Sequence, residues 1–348
     1  VGESEKMRNK QRHKNESGKS MLALPRGLGF PFSLLVVCGL AWASPSLGMR
    51  EGPFLPEITS LIAVFVIFLV QGWNLDLRRL RAASSRKSVA LSLHPFIFLV
   101  PPMLVLLAYA LGLAPAGWSQ AILFLAILPT TISSCVVYTR LAGGDADEAL
   151  GHATFSNLLA VVWVPVAWGA FLSSDGESVG VTQSMGLFLG DLLVLMILPC
   201  LVGWWARKKL EDRLGALQGK WMQLVPFGCI LVLAYFSFCP LFGDRFIQDL
   251  RSEAVGLAAF ICGFLVLLTL LAWFAGRAVS SRPETRLAFF FCAGQKSLAV
   301  GLPMAHLLVG PDHSAVGELV LPLVLFHFGQ LLLGSLLLGI LGGGRSAR

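Results

Sequence analysis

The sequence predicts an all-α polytopic membrane protein: ten transmembrane helices arranged as two inverted five-helix repeats. Three observations predict it. Hydrophobic residues make up 55% of the 348-residue chain and charged residues 14%, against about 25% charged in a typical soluble domain. The apolar residues gather into ten runs, at 28–46, 56–74, 88–113, 119–141, 149–172, 184–206, 222–242, 254–276, 287–309 and 316–341. Each is long enough to cross a hydrocarbon core of ~30 Å as a helix. Finally, 23 of the 27 Lys and Arg fall in alternate connecting segments and three on the opposite side (Arg50, Arg245, Arg251). That asymmetry places both termini in the cytoplasm of a plasma or inner membrane.

The elements follow in order. Residues 1–26 carry seven Lys and Arg and no apolar period, and are expected to be a disordered cytoplasmic tail. The first run ends Ala41-Trp42-Ala43, which also has the form of a secretory cleavage site; the long basic leader favours a retained span. The next basic clusters are Arg78, Arg79, Arg81, Arg86 and Lys87, then Arg140, then Arg207, Lys208, Lys209, Arg213 and Lys220. Trp73, Trp118, Trp204, Trp205, Trp221 and Trp273 stand near span ends as interfacial anchors. Ten spans divide into five plus five, residues 27–173 and 184–343. An odd number per half makes the second enter the membrane from the other side, the inverted repeat of many secondary transporters. The net charge of +7 therefore reflects topology, and no nucleic-acid partner is expected. The bilayer is the expected environment; protein partners are not indicated.

The fourth span of each half is irregular. One reads Pro129-Thr130-Thr131-Ile132-Ser133-Ser134 and the other Gly294-Gln295-Lys296-Ser297. A helix break at membrane depth survives only where protein or a wet cavity satisfies the freed backbone. These hydroxyls fit an unwound stretch that binds an ion or solute, or else they bond their own helices and let spans pack closely. Lys296 lies about 13 Å from either interface at 1.5 Å per residue, too deep for its side chain to snorkel out. It must face a wet cavity, pair with an acid or give up its proton. Asp191 is the one plausible partner, and such a pair could be purely structural. In the fifth span His152, Ser156 and Asn157 share a face, as do His327 and Gln330 in the tenth; either set can be a ligand group or satisfied core. His94-Pro95 and Pro101-Pro102 read as kinks, and Asp145, Asp147 and Glu148 as solvated loop charges.

Missing chemistry narrows the function. All seven Cys lie inside apolar runs with no C-x-x-C pair, so neither a metal nor a redox cofactor is expected. There is no G-x-x-x-x-G-K-[ST], no H-E-x-x-H and no G-x-S-x-G, so an ATP-driven pump and a membrane hydrolase are not expected. No enzyme is expected.

Four separated stretches carry a family resemblance: Gly52-Pro53-Phe54-Leu55-Pro56-Glu57 running to Gln71-Gly72-Trp73-Asn74; Ser133-Ser134-Cys135-Val136-Val137-Tyr138-Thr139-Arg140 before Gly143-Gly144-Asp145; Gln295-Lys296-Ser297-Leu298; and Phe326-His327-Phe328-Gly329-Gln330. Together they resemble the bile acid:sodium symporter family, in its SBF-like branch, over about residues 27–342. The resemblance implies a core domain containing crossed, broken fourth and ninth spans, and a panel of spans 1, 2, 6 and 7 that moves against it. It also implies sodium ligands. Ser133 and Ser134 match the family's fourth-span pair, Ser156 or Asn157 stands in for fifth-span ligands, and Gln295 matches a ninth-span Gln. The family's Glu, however, falls on Phe291 or Cys292, and Lys296 occupies the place of an Asn. A site that loses a carboxylate and gains an ammonium should hold sodium poorly, so sodium at Ser133, Ser134 and Gln295 is a doubtful cofactor.

The expectation is a secondary transporter of a small organic anion. Its candidate binding residues are Thr130, Thr131, Ser133, Ser134, His152, Ser156, Asn157, Gln295, Lys296, Ser297, His327 and Gln330. Lys296 takes the place of the sodium ion near Ser133, Ser134 and Gln295, with proton exchange as the substitute for sodium coupling. The alternative is a non-transporting membrane regulator or assembly partner with the same fold.

Overall fold

The structure, a computed structural model, describes residues 29–49, 52–75, 86–172, 185–214, 218–243, 246–309 and 313–342. The tail at 1–26 lies outside them. Among the described residues there are twelve α-helices, two short 3-10 turns and no strand. The helices are α1 Gly29–Ala43, α2 Pro56–Trp73, α3 Lys87–Ala110, α4 Ser119–Ile127, α5 Ser133–Leu141 and α6 Ala146–Leu172. They continue with α7 Met185–Leu214, α8 Gln218–Gly243, α9 Phe246–Val279, α10 Pro283–Ala293, α11 Leu298–Val309 and α12 His313–Gly342.

Each of the ten apolar runs carries a helix, and the fourth and ninth each carry two, α4–α5 and α10–α11. Counting the ninth as one span, seven among the described residues are long and apolar enough to cross a membrane. The apolar stretches in α1 and α4 are shorter, and α7 runs on into the charged sequence Arg207-Lys208-Lys209-Leu210-Glu211-Asp212-Arg213. The fourth break begins at Pro129, which has no N–H to continue the ladder and holds Leu128 in an extended conformation (φ −70°, ψ 153°).

Two packing groups emerge. Helices α1, α2, α7 and α8 pack chiefly on one another, and α3–α6 with α9–α12 form the second group. The α2–α7 contact is the most extensive in the molecule. A Cβ on Gly72 would collide with the Cys200 carbonyl, and one on Gly203 with that of Leu69, so only glycine lets the backbones approach this closely. The groups meet chiefly where α8 touches α11 and α12 and where α7 touches α6. There His306 Nε2 lies 3.0 Å from Ser237 Oγ and 3.2 Å from the Leu233 carbonyl. The ninth span is 94% buried, whereas the other six spans of that length are half buried or less. The second group is built around it.

Candidate functional site

The two breaks meet. Ser297 N–H donates to the Pro129 carbonyl at 2.8 Å, joining the fourth span to the ninth through their backbones. Each break then receives side chains that replace its missing helix bonds. From α6, Ser156 Oγ accepts Thr130 N–H (3.2 Å) and Asn157 Nδ2 donates to the Thr130 carbonyl (3.0 Å). From α12, Gln330 clasps Lys296 at both backbone groups, Oε1 accepting its N–H (2.8 Å) and Nε2 donating to its carbonyl (2.9 Å). His327 Nδ1, 2.8 Å from Gln330 Nε2, holds that amide in place. Buried polar groups are as a rule bonded; of the faces expected at His152, Ser156 and Asn157 and at His327 and Gln330, Ser156, Asn157 and Gln330 supply those bonds.

Adjacent residues of the ninth break face different parts of the fourth. Gln295 Oε1 accepts from Thr131 Oγ1 at 2.6 Å and from Ser134 Oγ at 2.7 Å, and these two hydroxyls are themselves 2.6 Å apart. Three oxygens thus form a tight triangle. Thr131 occupies the place expected for Ser133, which is exposed at the start of α5. Ser297 Oγ caps α11 by accepting Val300 N–H at 3.3 Å.

Lys296 is fully buried. Its ammonium donates to three carbonyls: Ala126 (2.7 Å), Leu128 (2.7 Å) and Ile97 (2.9 Å). It reaches the α4 side of the fourth break, away from Ser134. Its three protons meet three acceptors, so a further acid is not needed; the side chain of Asp191 lies outside the described residues. The choice of acceptors has a physical reason. Ala126 and Leu128 lie where α4 ends, and their carbonyls have lost helical donors. Ile97 sits four residues before Pro101 inside α3, and proline has no N–H to return to it. All three carbonyls need an outside donor. The negative end of the α4 dipole adds to the attraction. Pro101 was the sequence signal for this cup: a proline four residues after a mid-span residue marks a carbonyl in want of a partner.

Two further residues differ from the sequence expectation. Glu148 is 8% exposed and bonds Arg86, which also donates to Thr285 Oγ1 at 2.6 Å. Helix packing, with α10 laid over the start of α6, covers a charge that looks solvated in the sequence. His94 is no mere kink residue: its Nε2 lies 3.4 Å from Nδ1 of the buried His152. A cavity of about 20 Å³ touches Gly294, Gln295, Gln330 and Gly334, room for about one water molecule.

Two broken spans, bonded to each other through a buried polar centre within a bundle of membrane-length helices, mark a polytopic membrane protein. The chain belongs to the SBF-like CPA transporter family, whose match spans residues 29–341. It is 30% identical over 326 residues to the sodium/bile acid cotransporter 7 of Rattus norvegicus, covering 88% of this chain and 90% of that one. To sodium/bile acid cotransporter 7-A of Xenopus laevis it is 28% identical over 323 residues, again 88% and 90% of the two chains. The putative symporter YfeH of Escherichia coli is 27% identical over 312 residues, 88% of this chain and 91% of its own. The family resemblance carried by the four sequence stretches holds, and the relatives are named as transporters and symporters, not as enzymes.

Proposed function

We propose that the protein is a secondary transporter that moves a small organic anion by alternating access, coupled to protons in place of sodium. Its two five-span halves form inverted repeats, its termini face the cytoplasm, and α1, α2, α7 and α8 act as the panel that shifts against the remaining helices. One observation carries the reading: the Lys296 ammonium in its cup of three carbonyls, Ile97, Ala126 and Leu128. A cation held by backbone oxygens at a helix break is the arrangement that transporters use for a coupling ion, and here the cation is tethered to the chain.

A tethered cation cannot leave with the solute, but it can lose a proton. An ammonium has three donors and an amine two plus a lone pair, so deprotonation leaves one carbonyl of the cup unpartnered. Proton release is thereby linked to the geometry of the crossing. The anion is favoured by the positive N-terminal ends of α5 and α11, and Ser133 is the exposed hydroxyl at the first of these. Relatives carry bile acid in their names, which makes an amphipathic carboxylate the first candidate solute.

The test is uptake into proteoliposomes across a panel of organic anions headed by bile acids, under an inward proton gradient or an inward sodium gradient. Accumulation should follow the proton gradient and ignore sodium. Lys296→Met should abolish the pH dependence, and Lys296→Arg, which keeps its charge at all accessible pH, should lock the carrier. Sodium-dependent accumulation overturns the coupling, and failure of every anion to move in a folded protein overturns the transport reading.

A further inference from the structure

We infer that Glu148, His152 and His94 form a proton path from the Arg- and Lys-rich end of the bundle to Lys296. The inference rests on the proton-coupled reading above and supplies the route that reading needs. Among the nine buried side-chain atoms that make no side-chain hydrogen bond within the described residues are Glu148 Oε1, His152 Nε2 and His94 Nδ1. An unsatisfied buried polar atom calls for a reason, and these three belong to residues that follow one another from the start of α6 to α3. Glu148 stands in the first turn of α6. His152 is four residues deeper on the same face. His94 comes from α3, with its Nε2 3.4 Å from His152 Nδ1. Three residues further along α3 is Ile97, whose carbonyl accepts the Lys296 ammonium at 2.9 Å.

The spacing suits proton transfer. The two imidazoles are at near hydrogen-bond distance, and each can take a proton on one nitrogen and release it from the other. The remaining steps, Glu148 to His152 and His94 to Ile97 at the cup, span four and three residues, about 6 and 4.5 Å along the helix axis. One water with a hydrogen bond on either side closes such a gap. The entrance is charged: Glu148 Oε2 is bonded to Arg86, with Asp145 3.7 Å from the same guanidinium, while Oε1 is buried and unbonded. The surroundings hold few competitors. Facing the path are Cys292 from α10, its Sγ 3.6 Å from the Ala149 carbonyl, and Cys135 from α5, 3.9 Å from that sulfur. Phe155 packs edge-on against the His94 ring at 4.7 Å and keeps the path narrow. The proton balance is simple: one enters at Glu148, each imidazole passes one on and regains its neutral form, and one is delivered to the Lys296 amine.

The experiment needs no solute. Purified full-length protein is mixed in a stopped-flow instrument across a pH step, with pyranine reporting proton uptake. Protons taken up by wild type but not by Lys296→Met are those of Lys296. His152→Gln and His94→Gln should take up the same Lys296-dependent amount, slowed by roughly tenfold or more, and added imidazole should restore the rate to His152→Gln. Glu148→Gln, which leaves both histidines in place, should slow uptake likewise. A purely structural role would alter the amount or the folding without rescue by imidazole. Wild-type rates in both histidine variants overturn the path while leaving proton coupling intact. Equal uptake by wild type and Lys296→Met overturns the path and the coupling together.

Discussion

Lys296→Met tests whether the ammonium cup holds the two breaks together. The variant keeps the length of the side chain and removes all three hydrogen bonds, to Ile97, Ala126 and Leu128. A buried carbonyl left without a donor costs about 1–3 kcal/mol. Against three such losses stands the removal of an intramembrane charge, which returns about 2.5–3.5 kcal/mol. The net expectation is a loss of roughly 3 kcal/mol, read as a thermal midpoint lower by several degrees. Pro101→Ala sharpens the test. It restores an N–H four residues after Ile97, so that carbonyl regains a helical donor and no longer depends on Lys296. In a double-mutant cycle on purified protein, Lys296→Met should cost about 1–2 kcal/mol less in the Pro101→Ala background than in wild type. Equal costs in the two backgrounds would refute the argument that the proline creates the cup, and a fully stable Lys296→Met would refute the cup itself.

Three further outcomes are expected. Gln330→Leu strands the Lys296 N–H and carbonyl that the amide now clasps, and should cost roughly 2–4 kcal/mol in the same thermal assay; wild-type stability contradicts the clasp. Gly203→Ala places a Cβ against the Leu69 carbonyl, and this overpacking should cost about 1–3 kcal/mol, with a broadened size-exclusion profile; an unchanged profile and midpoint contradict the close α2–α7 contact. The free thiols of Cys135 and Cys292 lie 3.9 Å apart, so mercuric ion should bridge α5 to α10. Cutting the chain between Leu214 and Gln218, the end of α7 and the start of α8, should then leave two fragments that still migrate together, and fragments that separate contradict the contact.

Much of this was legible in the sequence, and the reason is the bilayer. Hydrocarbon admits only segments whose backbone groups are all bonded, helices or closed barrels, and apolar runs of this length announce the helical kind. A break in such a run is visible where a helix breaker is joined to a polar cluster, as at Pro129-Thr130-Thr131 and Gly294-Gln295-Lys296-Ser297; proline alone is not enough, since Pro95, Pro101 and Pro102 lie inside the unbroken α3. Side chains on α6 and α12 that share a face with a break were legible from helical period alone, as Asn157 and Gln330 demonstrate. What depends on tertiary packing was hidden. Glu148 looks like a loop charge until α10 covers it, and His94 looks like the residue before a kink until α6 brings His152 alongside. The cup for Lys296 is made of backbone, which every residue carries, so composition could not reveal it; only Pro101 hinted at an unpartnered carbonyl. Thr131 in place of Ser133 beside Gln295 turned on where the helix restarts, a matter of two residues that propensity does not fix.

The most direct measurement of the central claim, that Lys296 stands in for a coupling ion, is equilibrium binding of radioactive sodium to the purified protein, wild type beside Lys296→Ala. The wild type, its cup filled by its own ammonium, should bind no sodium and gain no thermal stability from sodium over choline. In Lys296→Ala the three carbonyls of Ile97, Ala126 and Leu128 lose their cation, and an alkali ion should now bind and stabilise. Saturable sodium binding by the wild type, unchanged in Lys296→Ala, would contradict the account.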